Sequence, residues 1–240
     1  MRKLFLAMTV AALFVTAANS QDHDKNDKDT PRIEGSGNVV TKEFNVSPFT
    51  DLDVKGVFSV LLVQGSKEGV KIEADDNLQS LFEVKNVGSR LVISMKENSN
   101  FNSKKKLKVY ISFKNLKDME LKTVGDISSE NDLTFDNLNI SSKSVGSIDL
   151  KMTAQSINVD NKSVGSVKLN GKAEHAIIRN KGVGSVQAAS FLVQKMDIEN
   201  SGVGSAEVNA AKEIVVKDSF LGKVTNKGAA PMKKLKRAAI

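Results

Sequence analysis

A short phrase, Val-Gly-Ser in its commonest form, returns along the second half of the chain at nearly constant spacing. Successive glycines of its five clear copies are 21, 19, 19 and 20 residues apart; they are Gly125, Gly146, Gly165, Gly184 and Gly204. A weaker sixth copy, Leu221-Gly222-Lys223, follows 18 residues later. A fixed period of this length is typical of stacked repeats, in which each unit buries its apolar side chains against its neighbours. The sequence therefore predicts a solenoid.

The repeats are made of strands. From Val39 onward apolar residues alternate with polar ones, a period of two that is typical of half-buried β-strands, and no window keeps a helical period over three turns. Each repeat is most simply one coil of a parallel β-helix. We expect an all-β protein: a right-handed parallel β-helix with coils of about 20 residues, preceded by a β region that is richer in phenylalanine.

Alignment on the glycines gives three apolar columns that we expect to point into the core. Two residues after the glycine come Ile127, Ile148, Val167, Val186, Ala206 and Val224. Four after it come Leu150, Leu169, Ala188 and Val208. Six before it come Met119, Ile140, Val159, Ile178, Ile198 and Val216. Each side chain would rest on its counterpart one coil away, at about 4.8 Å.

The glycines and two polar columns are the candidate special positions. The glycines would be structural corners, because glycine adopts a positive φ or a tight bend that a Cβ obstructs. Four residues before them lie Asn161, Asn180, Asn200 and Asp218, which we interpret as a hydrogen-bonded ladder. The next position forms a basic column of Lys122, Lys143, Lys162 and Lys181. This column is either a solvated face balanced by nearby acids or a strip that binds a polyanion such as an acidic polysaccharide.

The chain divides into five segments. Residues 1–20 have a basic start, an apolar run and the small residues Ala18-Asn19-Ser20, which is typical of a secretory signal peptide. Residues 21–36 are predicted to be a disordered charged linker, 37–121 the phenylalanine-richer β region, 122–231 the solenoid and 232–240 a basic disordered tail. We expect export to the periplasm, the cell surface or the medium, with no transmembrane segment in the mature chain.

Composition excludes several kinds of chemistry. The chain has no cysteine and only two histidines, His23 and His175, so thiol catalysis and histidine-built metal sites are not expected. We expect no cofactor and no metal. Its net charge of +7 is concentrated in the leader and in the terminal cluster Lys233, Lys234, Lys236 and Arg237. A basic tail on a nearly neutral body does not predict nucleic-acid binding.

Three functions remain open at this point. The first is a non-catalytic adhesin-like or cell-envelope interaction protein whose partner is a glycan or protein of a cell surface or matrix. The second is a polysaccharide-binding or polysaccharide-degrading β-helix. Its best carboxylate pair, Asp149 and Glu207, would lie three coils or about 14 Å apart, which is too far for a retaining glycosidase. The third is a homo-oligomer that associates through the end of the stack.

The repeated Val-Gly-Ser phrases and the segment Phe49–Phe58 (Phe-Thr-Asp-Leu-Asp-Val-Lys-Gly-Val-Phe) resemble a known family. It is the putative auto-transporter adhesin family, or head GIN domain, of bacterial exported proteins. The resemblance covers about Val40 to Pro231 and implies a periplasmic or cell-surface solenoid. The family's closing aromatic residue before Gly-x-Pro is missing here, although Gly228 and Pro231 are present.

Overall fold

The computed structural model describes residues 31–97 and 99–235. The predicted signal peptide and most of the predicted linker lie outside the described residues. A 3-10 helix spans Asp76–Leu81. The strands are β1 (Ile33–Glu34), β2 (Val39–Phe44), β3 (Asp51–Gly56), β4 (Ser59–Gln64), β5 (Gly69–Asp75), β6 (Phe82–Val87), β7 (Arg90–Met95), β8 (Phe101–Asn102), β9 (Lys108–Phe113), β10 (Asp118–Thr123), β11 (Ile127–Ser129), β12 (Leu133–Ser142), β13 (Ile148–Asn161), β14 (Val167–Asn180), β15 (Val186–Asn200), β16 (Ala206–Asp218), β17 (Val224–Asn226) and β18 (Met232–Lys234).

The long strands β12 to β16 stack in parallel, one coil of about 20 residues on the next. Their register follows the glycine alignment: Ile148 pairs with Val167, which pairs with Val186, which pairs with Ala206. The predicted all-β solenoid of stacked parallel coils is therefore confirmed.

The core lies inside the stack. All members of the three predicted inward columns are buried, since none has more than 3% of its surface exposed. Each coil adds a further inward run that the alignment did not identify, represented in β13 by Met152, Ala154 and Ile157. One connected hydrophobic core extends from Phe49 to Ala230. It therefore includes residues on both sides of residue 121, the predicted boundary between the phenylalanine-richer β region and the solenoid.

The first coils are not stacked in chain order. Strand β3 lies between β7 and β10, and β4 lies between β9 and β11, with all four pairings parallel. The coil formed by β3 and β4 is thus inserted between two coils that come later in the sequence. Strands β5 and β6 then pair antiparallel with β9 and β7, and β2 pairs antiparallel with β5. These antiparallel strands cover the parallel stack at its N-terminal end.

Short strands occur in two segments that were predicted to be disordered. Strand β1, from the predicted linker, pairs with β8, and β18, from the predicted tail, pairs with β16. The reason at the C-terminal end is visible in the contacts of β18: its backbone satisfies the open edge of the last long coil, and Lys234 Nζ donates to Asp218 Oδ2 at 2.8 Å. The basic residues of this segment favoured a solvated tail in the sequence analysis. In the structure, the open edge of β16 pairs with the segment instead.

Candidate interaction surface

The five corner glycines adopt backbone conformations that favour glycine. Their φ angles are +148° at Gly125, +136° at Gly146, Gly165 and Gly184, and +127° at Gly204. A Cβ at Gly165 would collide with the carbonyl oxygen of Gly146 in the preceding coil, and the other corners have equivalent neighbours. At these positions glycine therefore allows both the turn and the close approach of successive coils.

Hydrogen bonds keep successive corners in register. The N–H of Gly146 donates to the carbonyl oxygen of Val164 at 2.9 Å, and the N–H of Val164 donates to that of Ser144 at 2.9 Å. The same pattern recurs at the neighbouring corners. Because each corner is bonded to the coils on both sides, the outward side chains next to it form straight columns along the stack.

One of these columns is the predicted lysine strip, extended by a residue. Lys122 pairs in register with Lys55 of β3, one coil closer to the N-terminal end. We call the basic column Lys55, Lys122, Lys143, Lys162 and Lys181. The signal for Lys55 was missed because its coil is inserted out of chain order, so its sequence spacing from Lys122 does not match the period.

The basic column is only partly neutralised. A hydrogen bond from Lys122 lowers the pKa of Glu120 and raises the pKa of Lys122, which keeps both groups charged. Lys162 lies 3.3 Å from a carboxylate oxygen of Asp160, and Lys55 lies 3.4 Å from one of Glu97. Within the described part of the chain, Lys143 and Lys181 have no carboxylate partner within 4.0 Å.

The local sequence explains why Lys143 and Lys181 lack a carboxylate partner. The residue two positions before Lys122 and Lys162 is acidic, whereas Ser141 and Arg179 occupy the equivalent positions before Lys143 and Lys181. The column therefore carries uncompensated positive charge at Lys143 and Lys181, whereas Arg179 lies in register between Asp160 and Glu199 of the neighbouring coils. Exposed lysines about 4.8 Å apart repel each other, and an anion that bridges them relieves this repulsion.

A column of apolar side chains runs beside the basic column. It lies two residues further along each coil, and the residue between the two columns is buried at Thr123, Ser144, Ser163 and Gly182. We call the valine column Val57, Val124, Val145, Val164, Val183, Val203 and Leu221. Each of its valines is 47–53% exposed, and Leu221 is 60% exposed. A pair of solvent-facing columns, one basic and one apolar, thus follows the corner of the solenoid.

The predicted asparagine ladder, Asn161, Asn180 and Asn200, lies inside the stack, where its side chains hydrogen-bond to one another from coil to coil. Asn161 Nδ2 donates to Asn180 Oδ1 at 2.7 Å, and Asn180 Nδ2 donates to Asn200 Oδ1 at 2.8 Å. All three side chains are buried, so no ligand can reach them. Asp218, the fourth residue of this predicted ladder, hydrogen-bonds to Lys234.

The carboxylates considered for glycoside hydrolysis do not form a catalytic pair. The register places Asp149 opposite Lys168, then Gln187, then Glu207, so the two acids are three coils apart. Lys168 binds Asp149 at 3.0 Å and Lys227 binds Glu207 at 3.5 Å. In residues 31–97 and 99–235 no group of three histidine, aspartate or glutamate side chains could hold a metal ion. No helix in the same ranges is long and apolar enough to span a membrane.

Comparison with known proteins identifies the family. Residues 48–230 match the family described as putative auto-transporter adhesin, head GIN domain. The chain belongs to this family. Similarity to a putative adhesin from Bacteroides fragilis agrees with the assignment: the two are 31% identical with a TM-score of 0.72, over 85% of this chain and 100% of that chain. The predicted resemblance to the head GIN domain is confirmed.

More distant solved structures share the fold. A putative adhesin from Parabacteroides distasonis is 17% identical with a TM-score of 0.57, over 85% of this chain and 100% of that one. A putative lipid binding protein from the same organism is 17% identical with a TM-score of 0.54, over 86% of this chain and 100% of that one. At these identities the similarity shows the fold alone. No curated protein sequence matches the chain.

Proposed function

We propose that this chain is an exported, non-catalytic adhesin-like protein of the cell envelope, which contacts a polyanionic partner along the basic column. Three features support the proposal. The family is named for adhesins, residues 1–20 have the pattern of a signal peptide, and the outward surface consists of repeated columns.

The basic column is the single observation that carries the proposal. It follows five successive coils at a spacing of about 4.8 Å, so its charges form a line parallel to the stacking axis. An acidic polysaccharide is also a line of charges, and it can bind such a column without being enclosed. Contacts between exposed charges are screened by salt, so binding would weaken as ionic strength rises.

The proposal is tested by neutralising three lysines at a time. The variant K143Q/K162Q/K181Q should bind an immobilised acidic polysaccharide about tenfold more weakly than the parent at low ionic strength. The matched control is K172Q/K195Q/K212Q, which removes the same charge from exposed lysines outside the basic column. Surface plasmon resonance at two ionic strengths measures both. Equal losses in the two variants, or unchanged binding in the first, would contradict a specific role for the column.

A further inference from the structure

The valine column has no role in binding a soluble polyanion. It places seven half-exposed apolar side chains on successive coils, a line roughly 29 Å long at the usual strand spacing. Soluble monomers rarely expose contiguous apolar surface of this kind unless it meets a partner. The N–H and the carbonyl oxygen of Val145, Val164 and Val183 hydrogen-bond to the preceding coil, and the residues next to each valine bond to the following coil, so its side chain stays directed at solvent.

The apolar line ends at the most exposed large hydrophobic residue of the described chain. Phe220, which is 92% exposed, directly precedes Leu221 of the valine column. In the two previous coils the equivalent position is Gly182 or Gly202, and a Cβ at Gly202 would collide with the carbonyl oxygen of Gly182. A phenylalanine cannot occupy that inward position, which explains why its ring lies outside.

The basic column decides what kind of partner fits. Lys143, Lys162 and Lys181 flank the valine column along its middle. A soluble acidic polysaccharide would use the lysines and leave the valines in water. A second copy packed antiparallel along the same line would bring the two basic columns together, where they repel. An anionic lipid surface matches both columns, because its headgroups attract lysine while its acyl boundary accepts apolar side chains.

We propose that the valine column and Phe220, with the basic column beside them, dock side-on to an anionic lipid surface. The inference rests on the proposed function, since it names the partner of the same face. The lysines supply long-range attraction, and the valines and Phe220 enter the boundary between headgroups and acyl chains. Docking along the corner leaves the other lateral faces of the solenoid free.

The test is co-sedimentation of the chain from residue 21 onward with vesicles of phosphatidylcholine, with and without phosphatidylglycerol. The parent should bind only the vesicles that contain phosphatidylglycerol. We expect V145S/V164S/V183S and F220S each to weaken that binding about tenfold, and K143Q/K162Q/K181Q to weaken it about a hundredfold. The control L192S, matched to F220S, removes an exposed apolar side chain that lies outside both columns, and it should stay within about twofold of the parent.

F220S separates a loss of binding from a loss of folding, because the Phe220 side chain is almost fully exposed and its replacement should leave the fold intact. Thermal unfolding is measured for every variant. Vesicle binding unchanged by both F220S and the valine variant would overturn the inference. So would a parent that binds acidic polysaccharide but no vesicle, a result that leaves the proposed function standing. Loss of self-association in the valine variant, without loss of vesicle binding, would assign the column to a second copy. If K143Q/K162Q/K181Q binds both the acidic polysaccharide and the vesicles as well as the parent does, the proposed function is contradicted too.

Discussion

At Gly165 the chain makes its turn with a φ of +136°, and a Cβ there would collide with the carbonyl oxygen of Gly146. Both conditions are absent at Gly65, where φ is not positive and a Cβ would have open space. Gly88 has only the first condition, with a φ of +60° and no neighbour within 4 Å of a Cβ. The three glycines therefore separate the contribution of backbone conformation from that of close coil packing.

We predict that Gly165→Ala lowers the free energy of unfolding by about 3 kcal/mol or more, because strain and collision add. Gly88→Ala should cost about 1 kcal/mol, the usual penalty for an L-residue with positive φ. Gly65→Ala should be neutral or slightly stabilising. Urea unfolding measures all three. If Gly165→Ala costs no more than Gly88→Ala, close packing at the corner is not what the glycine provides.

Residue columns were predictable from sequence wherever the period holds. The pairings of Ile127 with Ile148 and of Asn161 with Asn180 follow directly from equal distances to the glycine. Exposure of the valine column was not foreseen, although its residues belong to the repeated phrase itself. Alternation could have indicated it, since valine stands one residue before the glycine and the inward column two residues after it.

At the level of strands, the long coils could be predicted from the spacing of the glycines, whereas the strands at the two ends of the stack could not. Strand β3 pairs with β10, although 61 residues separate the end of one from the start of the other. The sequence period cannot predict this pairing, because the pairing depends on which strand edges are open to a partner. For the same reason β18 was placed in a disordered tail, whereas the open edge of β16 binds it.

The attachment of β18 should depend on pH. The hydrogen bond from Lys234 lowers the pKa of Asp218 below its ordinary value. A carboxyl group with a lowered folded-state pKa stabilises the fold at pH values above its unfolded-state pKa, and the stabilisation is lost as pH falls through the folded-state value. We therefore predict that Asp218→Asn reduces the loss of stability seen on acidification from about pH 5 to about pH 3.

Thermal unfolding of the two proteins across this range measures the effect. Asp197→Asn is the matched control, because Asp197 is an exposed aspartate in the neighbouring coil. The control should keep the acid sensitivity of the parent. An Asp218→Asn variant that loses stability on acidification as steeply as the parent would show that this ion pair does not hold the last strand.

For the whole molecule, stacking converts a short repeated phrase into long parallel columns on one corner. Fold and family were predictable because both depend on the repeat. The contact surface was predictable only in part: Lys122, Lys143, Lys162 and Lys181 are periodic, whereas Lys55 joins them through a non-sequential coil. Where the columns act depends on which side of the cell boundary the solenoid occupies.

Protease treatment of intact producing cells is the most direct test of the central claim, that this solenoid is an exported surface for adhesion. The protein carries a C-terminal epitope tag, and a periplasmic protein serves as the control for intact cells. We predict loss of the tag while the control survives. Protection of the tag until the envelope is opened would contradict the adhesin-like role and would restrict the partner to the interior of the envelope.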